Sequence, residues 1–112
     1  MFGIHVGPLA TGGTWVSVAG ELDLSTCPRL DEVLTAVVAT ATGRVEVDLS
    51  GVSFLDCRAV ATLVDARNRA LRRGVRFTVH NAVGIVRRVL ELAGVAAAMG
   101  LTGSDRASRI AG

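Results

Sequence analysis

Hydrophobic and polar residues alternate along several short stretches of this chain, and this spacing predicts β-strands. Four such segments are predicted, at residues 2–6, 14–19, 44–49 and 75–80. Glycines and a proline separate the first two, which predicts a hairpin or a closely connected strand pair. Ser50 and Gly51 are expected to end the third strand, and residues 52–55 to form a tight apolar connection.

Three longer segments carry apolar residues at the i, i+3, i+4 spacing of a helix. The predicted helices run from about residue 27 to 41, from about 57 to 73, and from 82 to 93. Ser25 or Thr26 is expected to cap the first helix, with Pro28 in its first turn, and Asn81 to cap the third. Leu71 is placed on the buried stripe of the second helix.

The order of these segments predicts an α/β fold with a mixed sheet. A chain of 112 residues fits one hydrophobic core. Strand-helix-strand units require parallel neighbours, which gives a mixed sheet of four to five strands with three or more helices packed mainly on one face. The domain is expected to cover residues 1–101, and residues 102–112 to form a flexible tail.

This topology brings two loops to one edge of the sheet. Helices that follow adjacent parallel strands begin at the same edge, where binding sites tend to lie. The 23–27 loop and the 52–58 loop are therefore expected to lie together, with Asp23 and Asp56 either orienting the loops or meeting cations of a partner.

Composition excludes several classes of function. The twelve basic residues are all arginine and give a net charge of +2, without the aromatic platform of a nucleic-acid surface. No nucleophile-base pair, paired carboxylates or P-loop is present, so the chain is not expected to be an enzyme. His5 and His80 lack converging ligands, so neither a metal nor another cofactor is expected. The absence of a signal peptide or an apolar span predicts a cytoplasmic protein without membrane insertion.

Three motifs in order resemble a known family. They are Gly-Glu-Leu-Asp-Leu-Ser at residues 20–25, Val-Asp-Leu-Ser-Gly-Val-Ser-Phe-Leu-Asp-Cys at 47–57, and Val-Leu-Glu-Leu-Ala-Gly-Val at 89–95. Together they are similar to the STAS domain of bacterial anti-sigma-factor antagonists, over roughly residues 3–100. The resemblance implies a STAS-like single domain and a cytoplasmic role in signalling and transcription regulation through protein-protein interaction.

The resemblance also implies a phosphorylation switch, from which this sequence departs. Members that switch present a serine at the start of the second helix, where a partner kinase phosphorylates it. Here the usual Asp-Ser-Ser-Gly reads Asp56-Cys57-Arg58-Ala59, so Arg58 stands at the acceptor position. Arg58 is then either a solvated surface residue of a copy that lost regulation, or a cation that pairs with a carboxylate or phosphate of the partner.

The leading interpretation is an antagonist that binds an anti-sigma, kinase-like protein or another regulatory protein, as a monomer or weak homodimer. The expected binding residues lie in the two loops and on one face of the second helix: Asp23, Ser25, Thr26, Asp56, Cys57, Arg58, Thr62, Asp65, Arg69 and Arg72. Asp65 and Arg69 are expected to form an i, i+4 ion pair. The alternative is a STAS subunit of a stress-signalling assembly or a membrane-transporter complex.

Cys27 and Cys57 suggest a second form of control. Both stand at predicted helix starts on the same sheet edge, where the helix dipole lowers a thiol pKa. A redox switch is one hypothesis. The other is that both are small residues packed under loops of a reduced cytoplasmic protein.

Overall fold

Strands and helices occur in the predicted order. The computed structural model describes residues 2–101. Its elements are β1 Gly3–Pro8, β2 Thr14–Leu22, α1 Cys27–Thr40, β3 Arg44–Leu55, α2 Cys57–Arg72, β4 Arg76–His80 and α3 Gly84–Leu92. The tail predicted for residues 102–112 lies outside the described residues.

The four strands form one mixed sheet in the order β1-β2-β3-β4. β1 and β2 pair antiparallel, which confirms the hairpin, and Gly3 lies opposite Ala19 at one end of it. β2 and β3 are parallel, as are β3 and β4. Helices α1 and α2 connect the parallel pairs, because parallel neighbours cannot be joined by a tight turn.

The two faces of the sheet differ in polarity. Val16, Val47 and Val79 form a row across three strands and are fully or almost fully buried in the core that the helices complete. On the other face, Glu46 lies between Trp15 and Thr78 in the register. This alternation places the helices on the valine face and leaves a polar face of the sheet, as predicted.

The indole of Trp15 lies against the backbone of β1. A Cβ atom added at Gly7 would come within 2.8 Å of Trp15 Nε1. Gly7 is the register partner of Trp15, so the absence of a side chain there makes room for the ring. Trp15 is the only tryptophan of the chain, and it is half-buried on the polar face.

The third strand is longer than predicted. Ser50 and Gly51 do not end it, and β3 continues to Leu55, which pairs with Leu22. The pairing between β2 and β3 shifts in register near Gly51, so the strand continues past this glycine. A Cβ at Gly51 would lie 2.9 Å from that of Ala19, so this glycine permits a close approach of strands instead of a turn.

The predicted cap of α1 is right in position but not in its hydrogen bonding, and the predicted cap of α3 is wrong. Thr26 stands at the cap position of α1 without capping it. Its Oγ1 instead donates to the Glu21 carbonyl at 2.8 Å. Asn81 adopts a left-handed conformation with φ 62°, and α3 begins at Gly84 after Val83. Asparagine tolerates this conformation, and its Nδ2 donates to Asp48 Oδ1 at 3.2 Å.

One side chain on α2 departs from the predicted burial, and one arginine on α3 is buried. Leu71, near the end of α2, is 51% exposed because it lies outside the stripe that meets the sheet. Arg87 on α3 is buried, and its Nε lies 3.1 Å from Glu91 Oε2 one turn later. The aliphatic stem of an arginine packs on apolar surface while its charged end finds a carboxylate, which explains this burial.

Candidate functional site

The 23–27 loop is ordered by hydrogen bonds to one carboxylate. Asp23 Oδ1 accepts from the Ser25 backbone N at 2.9 Å and from Ser25 Oγ at 2.7 Å. The Thr26 backbone N donates to the same oxygen at 3.3 Å. The hydrogen bond from the Ser25 hydroxyl is the main reason that the pKa of Asp23 is lowered. Asp23 therefore orients the loop, the first of its two predicted roles.

Asp56 performs a similar task at the start of α2. Its Oδ1 accepts from the Ala59 backbone N at 3.0 Å, which makes it the N-cap of the helix. Its own backbone N donates to the Leu22 carbonyl at 3.1 Å, just before the 23–27 loop. This bond holds the start of α2 beside the 23–27 loop at one end of the sheet, where the topology predicted that they meet.

A groove of about 420 Å³ lies between α1 and α2 at this end of the sheet. Its lining residues come from the first loop and from both helices: Leu24, Cys27, Pro28, Asp31, Arg58, Ala61, Thr62 and Asp65. Four of the residues singled out in the sequence thus meet in one depression. Leu24 and Asp31 were missed, although the apolar Leu24 in a polar loop was a usable signal.

Arg58 stands exposed in the first turn of α2. Its side chain makes no hydrogen bond or ion pair with any residue between 2 and 101. The groove therefore has a cation at one end that the described part of the chain does not neutralise. Asp31 and Asp65 supply acidic groups further along the groove.

Thr62 is buried, contrary to the prediction that it belongs to an exposed face. Only 9% of its surface is accessible. Its Oγ1 donates to the Arg58 carbonyl one turn earlier at 3.0 Å, and its side chain faces the thiol of Cys27. Because α1 packs across α2 at this point, Thr62 forms part of the groove floor.

Arg69 crosses to α1 instead of pairing with Asp65. Its Nη1 donates to Thr35 Oγ1 at 2.7 Å, and its Nη2 lies 3.2 Å from Asp31 Oδ1. The predicted ion pair with the Asp65 carboxylate is therefore wrong. Arg69 is half-buried and holds the two helices together, so it is less available to a partner than expected.

The far end of the helix pair carries two further arginines. Arg73 Nη1 donates to the Val38 and Ala41 carbonyls near the end of α1. Such bonds satisfy carbonyl groups that a helix end leaves unpaired. Arg72 is exposed and lines a separate apolar cavity of about 280 Å³ with Val38 and Thr35. Arg72 therefore lies outside the groove that contains Arg58.

The two cysteines occupy different environments. Both are free thiols, Cys27 buried and Cys57 exposed. Burial raises the pKa of Cys27, and the nearby Asp56 carboxylate raises it further. The pKa of Cys27 is therefore raised and not lowered as expected, because burial disfavours the charged thiolate. The redox hypothesis for this pair stays a prediction.

Other kinds of site find little support in the described part of the chain. Within residues 2–101, no three His, Cys, Asp or Glu side chains are grouped as a metal site would require. His80 Nε2 lies 2.9 Å from Thr78 Oγ1 and 3.9 Å from Glu46 Oε1. None of the helices within this range has the length and apolarity needed to cross a bilayer.

Comparison with known sequences identifies relatives. A family profile described as "Mlab, STAS domain" matches residues 10–102. The anti-sigma-F factor antagonist RsfB of Mycobacterium tuberculosis is 32% identical over 80 residues, which make up 71% of this chain. The matched region covers 65% of RsfB, so the chain spans just under two thirds of the length of this curated relative.

Comparison with solved structures agrees with the comparison of sequences. The crystal structure of an anti-sigma factor antagonist from Mycobacterium paratuberculosis has a TM-score of 0.81 and 25% identity, covering 100% of this chain and 96% of the other. The unphosphorylated form of the antagonist SpoIIAA has a TM-score of 0.75 with 96% of each chain covered, and at 16% identity it shows the fold alone. The profile match, the sheet order and these neighbours lead to one conclusion: the chain belongs to the STAS domain family and is similar to its anti-sigma factor antagonists.

Proposed function

We propose that this protein is a non-enzymatic binding module of the cytoplasm that binds an anti-sigma factor through the groove between α1 and α2. The observation that carries the proposal is Arg58, an exposed cation at the groove without a partner in the described part of the chain. The likeness to RsfB, whose name states antagonism of an anti-sigma factor, supports the class of partner.

The groove offers both affinity and specificity. Leu24 is 65% exposed beside Cys27 and Pro28, so it supplies apolar surface that a partner would cover. Arg58 at one end and the carboxylates of Asp31 and Asp65 along the groove give a charge pattern that selects a complementary partner. Asp23 and Asp56 act indirectly in this proposal, since they hold the loops and the helix start in place.

Replacement of Arg58 by glutamate tests the binding surface. We expect the R58E variant to bind an anti-sigma factor at least about tenfold more weakly, since the substitution places a repulsive charge at the interface. The affinity is measured by calorimetry against purified anti-sigma factors, beginning with an anti-sigma-F factor. R88E is the matched control, because Arg88 is exposed on α3, outside the groove. An unchanged Kd in R58E would place the interface elsewhere.

Control of this binding is proposed to be independent of a phosphoserine at the start of α2. Arg58 occupies that position and has no hydroxyl group for a serine kinase to phosphorylate. Thr62 is a poor acceptor because its hydroxyl is buried and bonded to the Arg58 carbonyl. Incubation with the kinase-like partner and ATP should leave the protein unmodified by mass spectrometry. Stoichiometric phosphate on Ser50, Ser53 or Thr62 would contradict this part of the proposal.

The alternative role in a stress-signalling assembly or transporter complex rests on likeness at the level of the fold. Calorimetry against purified anti-sigma factors separates the two roles, since a subunit of either assembly would not bind a purified anti-sigma factor. A monomer or weak homodimer is the proposed oligomeric state, and sedimentation at several concentrations measures it.

A further inference from the structure

Two arginines lie directly opposite each other where β3 and β4 begin, at the end of the sheet remote from the groove. Arg44 is the register partner of Arg76. Like charges in this position on neighbouring strands destabilise a sheet. Glu46 Oε2 lies 3.2 Å from Arg44 Nε and offsets one of the two charges. Arg76 has no side-chain hydrogen bond or ion pair within residues 2–101, so one positive charge is in excess.

The two arginines line a pocket of about 450 Å³. The other lining residues are small and uncharged: Thr11, Gly12, Gly13, Thr42 and Gly43. The volume lies within the range of small-molecule sites, and no carboxylate is among the lining residues. The pocket therefore presents cations and hydroxyl groups to whatever enters it.

Three of the lining residues of this pocket are glycines, at positions 12, 13 and 43. Gly12 and Gly43 have φ of 95° and 81°, and a Cβ added at either would meet nothing within 4 Å. Gly13 lies so close to β3 that a Cβ there would be 2.5 Å from the Arg44 carbonyl oxygen. Without side chains, these glycines leave the backbone at residues 12–13 and at residue 43 accessible to a ligand.

Arg44 is held in a defined orientation. Its Nη2 donates to Thr11 Oγ1 at 2.6 Å. Its Nε is buried beside Glu46 without a hydrogen bond of acceptable geometry. These contacts fix the planar guanidinium of Arg44 and leave its other N–H groups available to a ligand. A guanidinium held in one orientation can donate two parallel hydrogen bonds to an oxyanion.

We infer that this pocket binds a small phosphate-type oxyanion, either free phosphate or the phosphoryl group of a small metabolite. The anion bridges Arg44 and Arg76 and removes the repulsion between them. The oxygens of the anion also accept hydrogen bonds from the threonine hydroxyls. A carboxylate has only two oxygens and would satisfy fewer of these donors. The pocket and the groove that contains Arg58 lie at opposite sheet edges, so the inference stands apart from the proposed function.

Titration with inorganic phosphate at constant ionic strength tests the inference. Two-dimensional NMR should show saturable shifts of the Gly12, Gly13 and Gly43 amides. R76Q should raise the Kd at least about tenfold, because a charge-assisted hydrogen bond is lost. R88Q, the matched control on α3, should leave it unchanged. A non-saturable response, shifts centred on the starts of α1 and α2, or an unchanged Kd in R76Q would overturn the inference.

Thermal unfolding gives a second, independent test. Without phosphate, R76Q should melt about 1–4 °C above the wild type, since one of two repelling charges is gone. With saturating phosphate, the order should reverse, because only the wild type binds the anion tightly. If the difference in Tm between R76Q and the wild type is the same with and without phosphate, the inference is overturned.

Glycerol phosphate distinguishes the two sources of the oxyanion. Tighter binding than that of inorganic phosphate would identify a phosphate monoester as the ligand, and equal or weaker binding would identify free phosphate. Both results support the oxyanion pocket. Failure of both compounds to bind would overturn it.

Discussion

Side chains one helical turn apart on α2 have opposite environments because α1 packs across that helix. Arg58 extends from the first turn into solvent, whereas Thr62 is only 9% exposed and faces Cys27. A buried hydroxyl requires a hydrogen-bond partner, and the Arg58 carbonyl serves Thr62 in this way. The same packing explains why the two cysteines differ in accessibility.

The two thiols should react at very different rates. We expect iodoacetamide at pH 8 to alkylate Cys57, which is exposed, and to leave Cys27 largely unmodified. Burial raises the pKa of Cys27, so little of the reactive thiolate is present. Peptide mass spectrometry over time measures both sites. In urea both should react, and equal rates in the folded protein would contradict the expected burial.

At the scale of elements, α2 depends on its N-cap. We expect D56A to lower the free energy of unfolding by about 0.5–2 kcal/mol, because the Ala59 amide loses its acceptor. D56N should retain most of the stability, since asparagine is an equally good cap. Urea denaturation measures both variants.

The same pair of variants separates the two roles considered for Asp56. If the carboxylate only caps α2, D56N should bind the anti-sigma factor with the affinity of the wild type. A loss of binding in D56N without a loss of stability would instead assign Asp56 a direct contact with the partner.

Elements with regular periodicity could be predicted from the sequence, whereas irregular ones could not. Strict alternation from Arg44 to Leu49 identifies the first half of β3. Its second half was missed because Gly51 commonly marks a turn, and only the tertiary approach of Ala19 shows why glycine is needed. The sequence context of Asn81 is typical of a helix cap, but its side chain donates to Asp48 of β3.

The geometry of the candidate site could be predicted in outline, whereas its role in binding stays a prediction. Topology alone brought Asp23, Cys27 and Asp56 to one edge, since parallel strands end together. Helical spacing could not show which residues of α2 the neighbouring helix would cover. It therefore placed Thr62 in solvent and paired Arg69 with Asp65 instead of Asp31. Contacts between helices depend on packing angles that the pattern of one helix does not contain.

For the whole molecule, stability should fall in acid. Hydrogen bonds from Ser25 lower the pKa of Asp23. For Asp48, burial raises the pKa, but hydrogen bonds from Ser50 and Asn81 outweigh this and lower it overall. Both carboxylates bind protons more weakly in the folded than in the unfolded state. Their contribution is therefore complete above their ordinary pKa of 3.8 and is lost as the pH falls through the folded values.

The double variant D23N/D48N tests this pH dependence. Its free energy of unfolding should decline less steeply between about pH 5 and 2 than that of the wild type, because two groups no longer titrate. Asparagine keeps an acceptor oxygen at each of the two positions. Equal slopes in urea denaturation across this range would show that other carboxylates dominate the acid response.

The position of Trp15 also gives this protein a built-in optical reporter. The indole rests on Gly7 at the hairpin, on the side of the sheet away from the helices. Its emission spectrum therefore follows the detachment of β1, while far-ultraviolet circular dichroism follows mainly α1 and α2. If the antiparallel hairpin separates before the parallel core melts, the two signals will have different midpoints in the same denaturation experiment.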